Sequence, residues 1–265
     1  ENPYPRWVNT KLEIKPMSIK TVMAKLELQV VNEAGLLPEA PQILIAGCGT
    51  GQHSLNAASL YKGSHITAID LSLSSLAYAK RKTEEFGVTN IDYQQADILD
   101  LGVLDKQFDI IESDGVLHHM AEPLAGWRVL TDCLKSGGMM KIGLYSELAR
   151  QSVVKARDMI AKNKITSDKE EMLKFRRKII KLNDAEVNVL EKSTDFYSTS
   201  TVRDLLFHVQ EHRFTILQIR KALDELGLIF MGFTFSDKTQ INAFKAAYPN
   251  EGAIYDLDNW HEYET

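Results

Sequence analysis

Ile43-Leu44-Ile45-Ala46-Gly47-Cys48-Gly49-Thr50-Gly51-Gln52 is the stretch whose reading decides the fold. A short apolar strand pattern runs into a loop with glycine at alternate positions, and residues 51–61 then read as a helix. Glycine accepts positive φ and leaves space where a Cβ would clash, so the loop turns tightly and lets a ligand approach the backbone. The helix that follows offers unpaired N–H groups and the positive end of its dipole, which suits a carboxylate or a phosphate. Taken alone, the same loop is also a plain strand-to-helix turn.

The alternation continues downstream. Residues 65–69 read as a strand ending at Asp70. Ser72 opens a helix as its N-cap, and Gly87 closes it. Further strands are expected over 91–94 and 108–112, a helix over 122–134, and a turn at Gly137-Gly138 leading into a strand over 139–145. Strands alternating with helices at this spacing predict an α/β fold, Rossmann-like, with a doubly wound and mostly parallel sheet.

Residues 147–192 break the rhythm. They hold no glycine, no proline and no β-branched run, and read as one or two long helices. Helices are expected from Ser200 to about Val209, over 215–226 and over 239–247, with a late strand over 228–235. Before the sheet, Pro3, Pro5 and Pro16 favour an extended arm over 1–16, and apolar spacing predicts a helix over 17–37, stopped by Pro38. Four parts follow: an arm and helix over 1–38, a ligand-binding core over 39–146, an inserted helical lid over 147–212, and a completion of the core over 213–265.

Composition narrows the function. The 265 residues are 44% hydrophobic and 25% charged, a globular balance that excludes a disordered tail or a collagen-like rod. A net charge of -5 argues against a broad nucleic-acid footprint. Cys48 and Cys133 form no disulfide framework or zinc spacing, which points to a reducing cytoplasm. No apolar run reaches the length of a membrane span, and no signal peptide is visible. The first residue is Glu1, which reads as a piece excised from something longer.

Two ligand classes use a glycine loop of this kind. Dinucleotide enzymes favour G-x-G-x-x-G, whose third glycine would fall at Gln52. The observed Gly47, Gly49 and Gly51 instead resemble the first motif of S-adenosylmethionine-dependent methyltransferases. Four further stretches resemble that family in order: Asp70-Leu71 after the second strand, Ala96-Asp97-Ile98 after the third, Ser113-Asp114-Gly115-Val116-Leu117-His118-His119 after the fourth, and Leu134-Lys135-Ser136-Gly137-Gly138 before the fifth, where Ser136 replaces the usual proline. The resemblance implies a cofactor site made by Gly47, Cys48, Gly49, Thr50, Gly51, Gln52, Asp70, Leu71, Asp97, Ile98, Ser113 and Asp114. S-adenosylmethionine would lie with its amino-acid end at the loop, its ribose on Asp70 and its adenine by Asp97 and Ile98, and would leave as S-adenosylhomocysteine. The methyl group would emerge near Ser113 to His119, where an acceptor attacks in line.

Asn2-Pro3-Tyr4-Pro5-Arg6-Trp7, Phe196-Tyr197-Ser198-Thr199-Ser200 and residues 203–212 look like methyltransferase modules that follow tetratricopeptide repeats in bacterial proteins. That likeness implies fusion to a repeat domain in the full-length protein. His118 and His119 are the candidate bases, since a histidine near neutrality can take a proton from a nucleophile. Tyr4, Arg6, Trp7, Phe196, Tyr197, Arg203, His208 and His212 are expected to line the acceptor site. His208-Val209-Gln210-Glu211-His212 also matches the zinc-protease pattern H-x-x-E-H, but a polar pocket wall is the preferred reading and no metal is expected. The basic cluster Lys174, Arg176, Arg177, Lys178 and Lys181 reads as a solvated helix face. The acceptor stays open among a protein side chain, a glycan and a small metabolite. A cofactor-binding scaffold without turnover and a nicotinamide-dependent oxidoreductase are the competing readings.

Overall fold

The computed structural model describes residues 5, 7, 12–13, 15–30, 38–104, 106–182, 184–208, 210–235 and 237–265; Tyr4 and Arg6 lie outside them. Five strands, β1 (Gln42–Ala46), β2 (His65–Asp70), β3 (Ile91–Gln95), β4 (Phe108–Asp114) and β5 (Leu134–Gly143), form one sheet in the order β3-β2-β1-β4-β5. Every pairing is parallel. The order reverses between β1 and β4, the switch point where open α/β sheets bind ligands beyond the strand carboxyl ends.

Helices cover both faces, which explains why β1 reads as an unbroken apolar run. Ile43, Ile45, Ile66, Ala68 and Ile110 pack with α1 (Ile19–Lys25), α2 (Gln52–Leu60) and α3 (Leu73–Glu85). Leu44, Ala46, Ile69 and Ile111 face Trp127 and Leu130 of α4 (Pro123–Asp132) on the other side. Each fully buried aliphatic side chain of this kind contributes about 1.5–3 kcal/mol. Ser72 caps α3 as expected, its hydroxyl accepting from Ser75 N.

After β5 the chain leaves the sheet. The insertion contains α5 (Gln151–Lys162), α6 (Lys169–Lys181), the short α7 (Ala185–Asn188) and α8 (Thr199–Phe207). They close on their own apolar cluster, which includes Val153, Phe175, Ile179, Phe196 and Leu206. The chain returns beside its exit: Phe214 N donates to Tyr145 O at 2.8 Å, and Glu147 N donates to Phe214 O at 3.0 Å. Then α9 (Ile216–Leu226) adds Ala222 to the second face of the core, before α10 (Thr239–Ala247) and α11 (Leu257–Glu264). No helix among the described residues is long and apolar enough to cross a membrane.

Three local expectations need correction. The helix expected over 17–37 ends at Lys25, because Glu27 turns the chain at φ 56 and Gln29 N bonds Met231 O at 2.8 Å; residues 31–37 lie outside the described set. Residues 228–235 form no strand. Their apolar pattern serves a different contact: Phe230, Phe233 and Phe235 pack into a cluster with Phe244 and Trp260. Gly137-Gly138 is no turn before β5. The strand runs through both residues, with a register shift opposite Phe108/Ile110 and Gly137 at φ 77, the signature of a bulge. The one or two long helices expected over 147–192 are the two helices α5 and α6, separated near Lys164, which takes φ 51 without glycine, and the short α7 follows them.

Candidate active site

The glycine loop is bent by its own backbone. Gly47, Gly49 and Gly51 all have positive φ, at 79°, 52° and 86°. A Cβ on Gly47 would stand 2.2 Å from Val116 Cγ2, and one on Gly51 would stand 2.6 Å from Ala79 Cβ. Gly47 N and Cys48 N both donate to Ile69 O, at 2.9 and 2.8 Å, which ties the loop to the end of β2. Asp70 adds a second tie. One carboxylate oxygen accepts from Gly49 N at 2.7 Å and the other from Ser72 N at 2.8 Å. A carboxylate carries about four lone-pair sites, so Asp70 can still accept from a diol.

Around this loop the predicted residues divide by role. Cys48 is buried, and burial together with the Asp70 charge pushes its thiol up to about 12, so it is inert packing. The Thr50 hydroxyl is already occupied: it accepts from Trp7 Nε1 at 2.9 Å and donates to Pro5 O at 2.6 Å. Trp7 also packs against Tyr78 and Phe86, which fixes its ring beside the loop. Ser113 is buried and donates to Ala46 O at 3.0 Å, while Asp114 is exposed opposite Lys141. Asp97 accepts from Leu99 N at 2.9 Å, and Ile98 is buried. Leu71 and Leu99 are left 65% and 51% exposed, so apolar side chains face solvent just past Asp70 and Asp97.

Behind the loop lies a buried charge that the motifs did not reveal. Glu112 of β4 bonds His53 Nε2 at 2.5 Å and accepts from Tyr61 Oη at 3.1 Å. His53, Ala57 and Tyr61 share one face of α2 and its C-terminal cap, and the small Ala57 leaves room for the carboxylate. Burial alone would raise the Glu112 pKa, but the His53 bond and charge, with Lys141 and Tyr61, hold it below the ordinary value. The spacing of His53 and Tyr61 and an acid, Glu112, ending the strand pattern 108–112 were the available signals.

The second cluster stands at the tips of β4 and β5, where the lid meets the core. Arg150 lies over the Tyr145 ring at 3.7 Å, and Tyr145 stacks on His118 at 3.7 Å. His118 meets His119 edge-on at 4.3 Å, and His119 stacks on His208 at 3.8 Å. His212 N donates to His118 O at 2.7 Å, joining the insertion to the fourth-strand motif. Two of the predicted lid residues, His208 and His212, thus reach His118 and His119. Phe196 is instead in the lid core, Tyr197 is exposed and donates to Glu191 O, and Arg203 is exposed and donates to Ser167 O.

Helix α8 ends at Phe207, and His208, Gln210, Glu211 and His212 are not helical, so the geometry that H-x-x-E-H requires is absent. Glu211 is buried between two guanidiniums instead. Arg150 Nε donates to it at 3.1 Å, Arg150 Nη2 donates to its other oxygen, and Arg157 Nη1 adds a bond at 3.1 Å. No sequence motif announces Arg150, Arg157 or Tyr145, because the contacts span the insertion.

His118 is 1% exposed, and neither ring nitrogen has a hydrogen-bond partner among the described residues. Burial, then the neighbouring His119 and Arg150, lowers its pKa to about 3; the Gly143 backbone opposes this without hydrogen-bond geometry. An unfolded histidine binds its proton below about 6.5 while this one stays neutral, so stability falls as pH drops from about 6.5 towards 3. His118→Phe is expected to lose about 2 kcal/mol less than the parent chain between pH 7 and pH 5. Urea unfolding at the two pH values measures this, and equal losses in both proteins would show that His118 does not carry the acid sensitivity.

A family model described as a methyltransferase domain matches residues 39–218. The chain belongs to the methyltransferase-domain family. It is an S-adenosylmethionine-dependent methyltransferase domain of Rossmann-like fold, as the glycine loop and the motifs after it led us to expect. This methyltransferase domain is 30% identical over 232 residues to an uncharacterised protein of Synechococcus sp., covering 84% of the chain and 56% of that protein. It is 30% identical over 138 residues to the ubiquinone biosynthesis O-methyltransferase of Marinobacter nauticus, covering 51% of the chain and 55% of that enzyme. PKMT2 from Rickettsia typhi, also solved in complex with AdoHcy, has a similar fold: TM-score 0.66 at 19% identity, covering 92% of this chain and 48% of that one. The methyltransferase domain spans about half the length of the curated relatives it matches.

Proposed function

We propose that this chain transfers the methyl group of S-adenosylmethionine to a hydroxyl oxygen of an acceptor held against the histidine cluster. The observation that carries the reading is the juxtaposition along one sheet edge of a positive-φ glycine cradle, two acids following strand tips, and His118–His119 in contact with the lid. The positive φ of Gly47, Gly49 and Gly51 shapes a loop whose backbone a ligand can approach, and at Gly47 and Gly51 glycine also spares Val116 and Ala79 a clash.

When bound, S-adenosylmethionine supplies an electrophilic methyl on a sulfonium, which an in-line nucleophile takes. The chain's own groups do the rest. The loop 47–52 and the N-terminus of α2 would receive the carboxylate end, Asp70 would accept from the ribose, and Leu71, Asp97 and Ile98 would hold the adenine. Positioning of this kind supplies much of the rate gain when two reactants must align. Of the two histidines, His119 is the better placed to accept a proton, because it is half-buried and not sealed in. Burial lowers its pKa, which keeps the imidazole neutral.

Oxygen is favoured as the acceptor atom because several curated relatives, 28–32% identical over parts of the chain, are named O-methyltransferases. Arg150, Arg157 and Glu211 then fix the lid segment that brings His208 and His212 to the pocket. Incubation with S-adenosylmethionine and a panel of phenols, sugars and peptides tests the reading. Release of S-adenosylhomocysteine and an O-methyl product are expected with one acceptor class. N-methylation alone, or no turnover in the presence of tight cofactor binding, would overturn it in favour of an amine acceptor or a cofactor-binding scaffold.

A further inference from the structure

Three side chains beside the methyl-transfer edge offer metal-ligating atoms that no sequence motif singled out as a set. One donor atom each from His119, Asp204 and His208 lies within 4.8 Å of the others. Asp204 and His208 stand one helical turn apart at the end of α8, and His119 follows β4. Each of the three is partly buried.

The orientation of the imidazoles is the second observation. The Gln210 carbonyl is 3.0 Å from His119 Nδ1 and 2.7 Å from His208 Nδ1. Both Nδ1–H groups can donate to that one oxygen, and the 3.3 Å approach of Gln210 N to His208 Nδ1 is the weaker alternative. This leaves Nε2 of both rings as the lone-pair atoms; the rings stack at 3.8 Å, so one must tilt for both lone pairs to converge on one ion. A histidine that ligates a metal typically donates its other N–H to a carbonyl in this way, which sets tautomer and ring direction. The Gln210 carbonyl is itself held in the segment that Glu211 anchors to Arg150 and Arg157.

We infer that His119, Asp204 and His208 form a binding site for a first-row divalent transition metal. Two imidazoles and one carboxylate are a donor set for such ions, and three protein ligands leave coordination positions open. An open position facing the pocket would hold an acceptor's hydroxyl oxygen and lower its pKa, so with metal bound this replaces proton acceptance by His119, whose lone pair the metal takes. That consequence rests on the methyl-transfer reading above; the metal site does not. It also departs from the sequence expectation of no metal, which considered only the H-x-x-E-H pattern and so missed His119 and Asp204.

The test uses the full chain, tag-free and stripped with a chelator, titrated with Zn(II) by calorimetry and with Co(II) by visible absorption. One equivalent is expected to bind with a micromolar or tighter Kd, and a Co(II) d–d band is expected to appear. His208→Ala and Asp204→Asn should each weaken binding at least tenfold. His65→Ala, which removes a surface histidine paired with Asp92, should leave it unchanged. Affinity should fall as pH drops and the imidazoles protonate. Retained S-adenosylmethionine binding shows that the variants fold. Absence of Zn(II) and Co(II) binding, or binding undiminished in both variants, would overturn the site. Either result leaves the cofactor reading standing, because the cofactor titration is run without metal.

Discussion

Asp70→Ala is expected to weaken S-adenosylmethionine binding by about a hundredfold or more while the sheet stays folded. The carboxylate accepts from Gly49 N and Ser72 N at once, so its loss frees the loop and the start of α3 and removes the acceptor proposed for the ribose. A hydrogen bond to a charged group contributes about 1.5–3 kcal/mol, or roughly ten- to a hundredfold in affinity for one such bond. Asp70→Asn retains one acceptor oxygen and should recover part of the loss. Calorimetry reads the affinity, and circular dichroism checks the fold. An alanine variant that binds with parental affinity would mean that the adenosine does not lie at this strand tip.

Gly49→Val should remove cofactor binding altogether within the range of calorimetry. Gly49 sits at φ 52, a region that a β-branched residue resists strongly. Valine would also fill the space over the loop and displace the N–H that Asp70 holds. Gly87→Ala is the control. Gly87 has φ 68, and nothing lies within 4 Å of an added Cβ, so this variant bears a backbone cost far from any cofactor contact. It should lose about 1 kcal/mol of stability and keep its affinity. Parental affinity in Gly49→Val would reduce the loop to a turn.

The legible parts of this chain were those governed by local chemistry. Strands buried on both faces announce themselves as apolar runs, and Ser72 caps its helix through a bond three residues away, so β1 to β4 and α3 were readable. The late apolar stretch misled because alternation says only that one face is buried. Phe230 and Phe233 bury theirs against the aromatic cluster of α10 and α11, with Gly232 at φ 130 between them. Site residues followed the same division. Glycines and acids at strand tips carry their meaning in sequence, since the sheet fixes where they stand. Arg150, Tyr145 and Asp204 do not. Their partners lie across the lid, and Glu211 looked like half of a zinc motif until its two guanidiniums were seen. Arg203 illustrates the converse error: adjacent to Asp204 in sequence, it points a different way and bonds Ser167 O.

The central claim is that the glycine loop and Asp70 hold S-adenosylmethionine. Calorimetric titration of the unmodified chain with S-adenosylmethionine and, separately, with a nicotinamide dinucleotide tests it most directly. The account predicts saturable one-to-one binding of S-adenosylmethionine and no heat of binding from the dinucleotide, whose fingerprint would need glycine at Gln52. Binding of the dinucleotide, or no binding of S-adenosylmethionine by a folded chain, would contradict it.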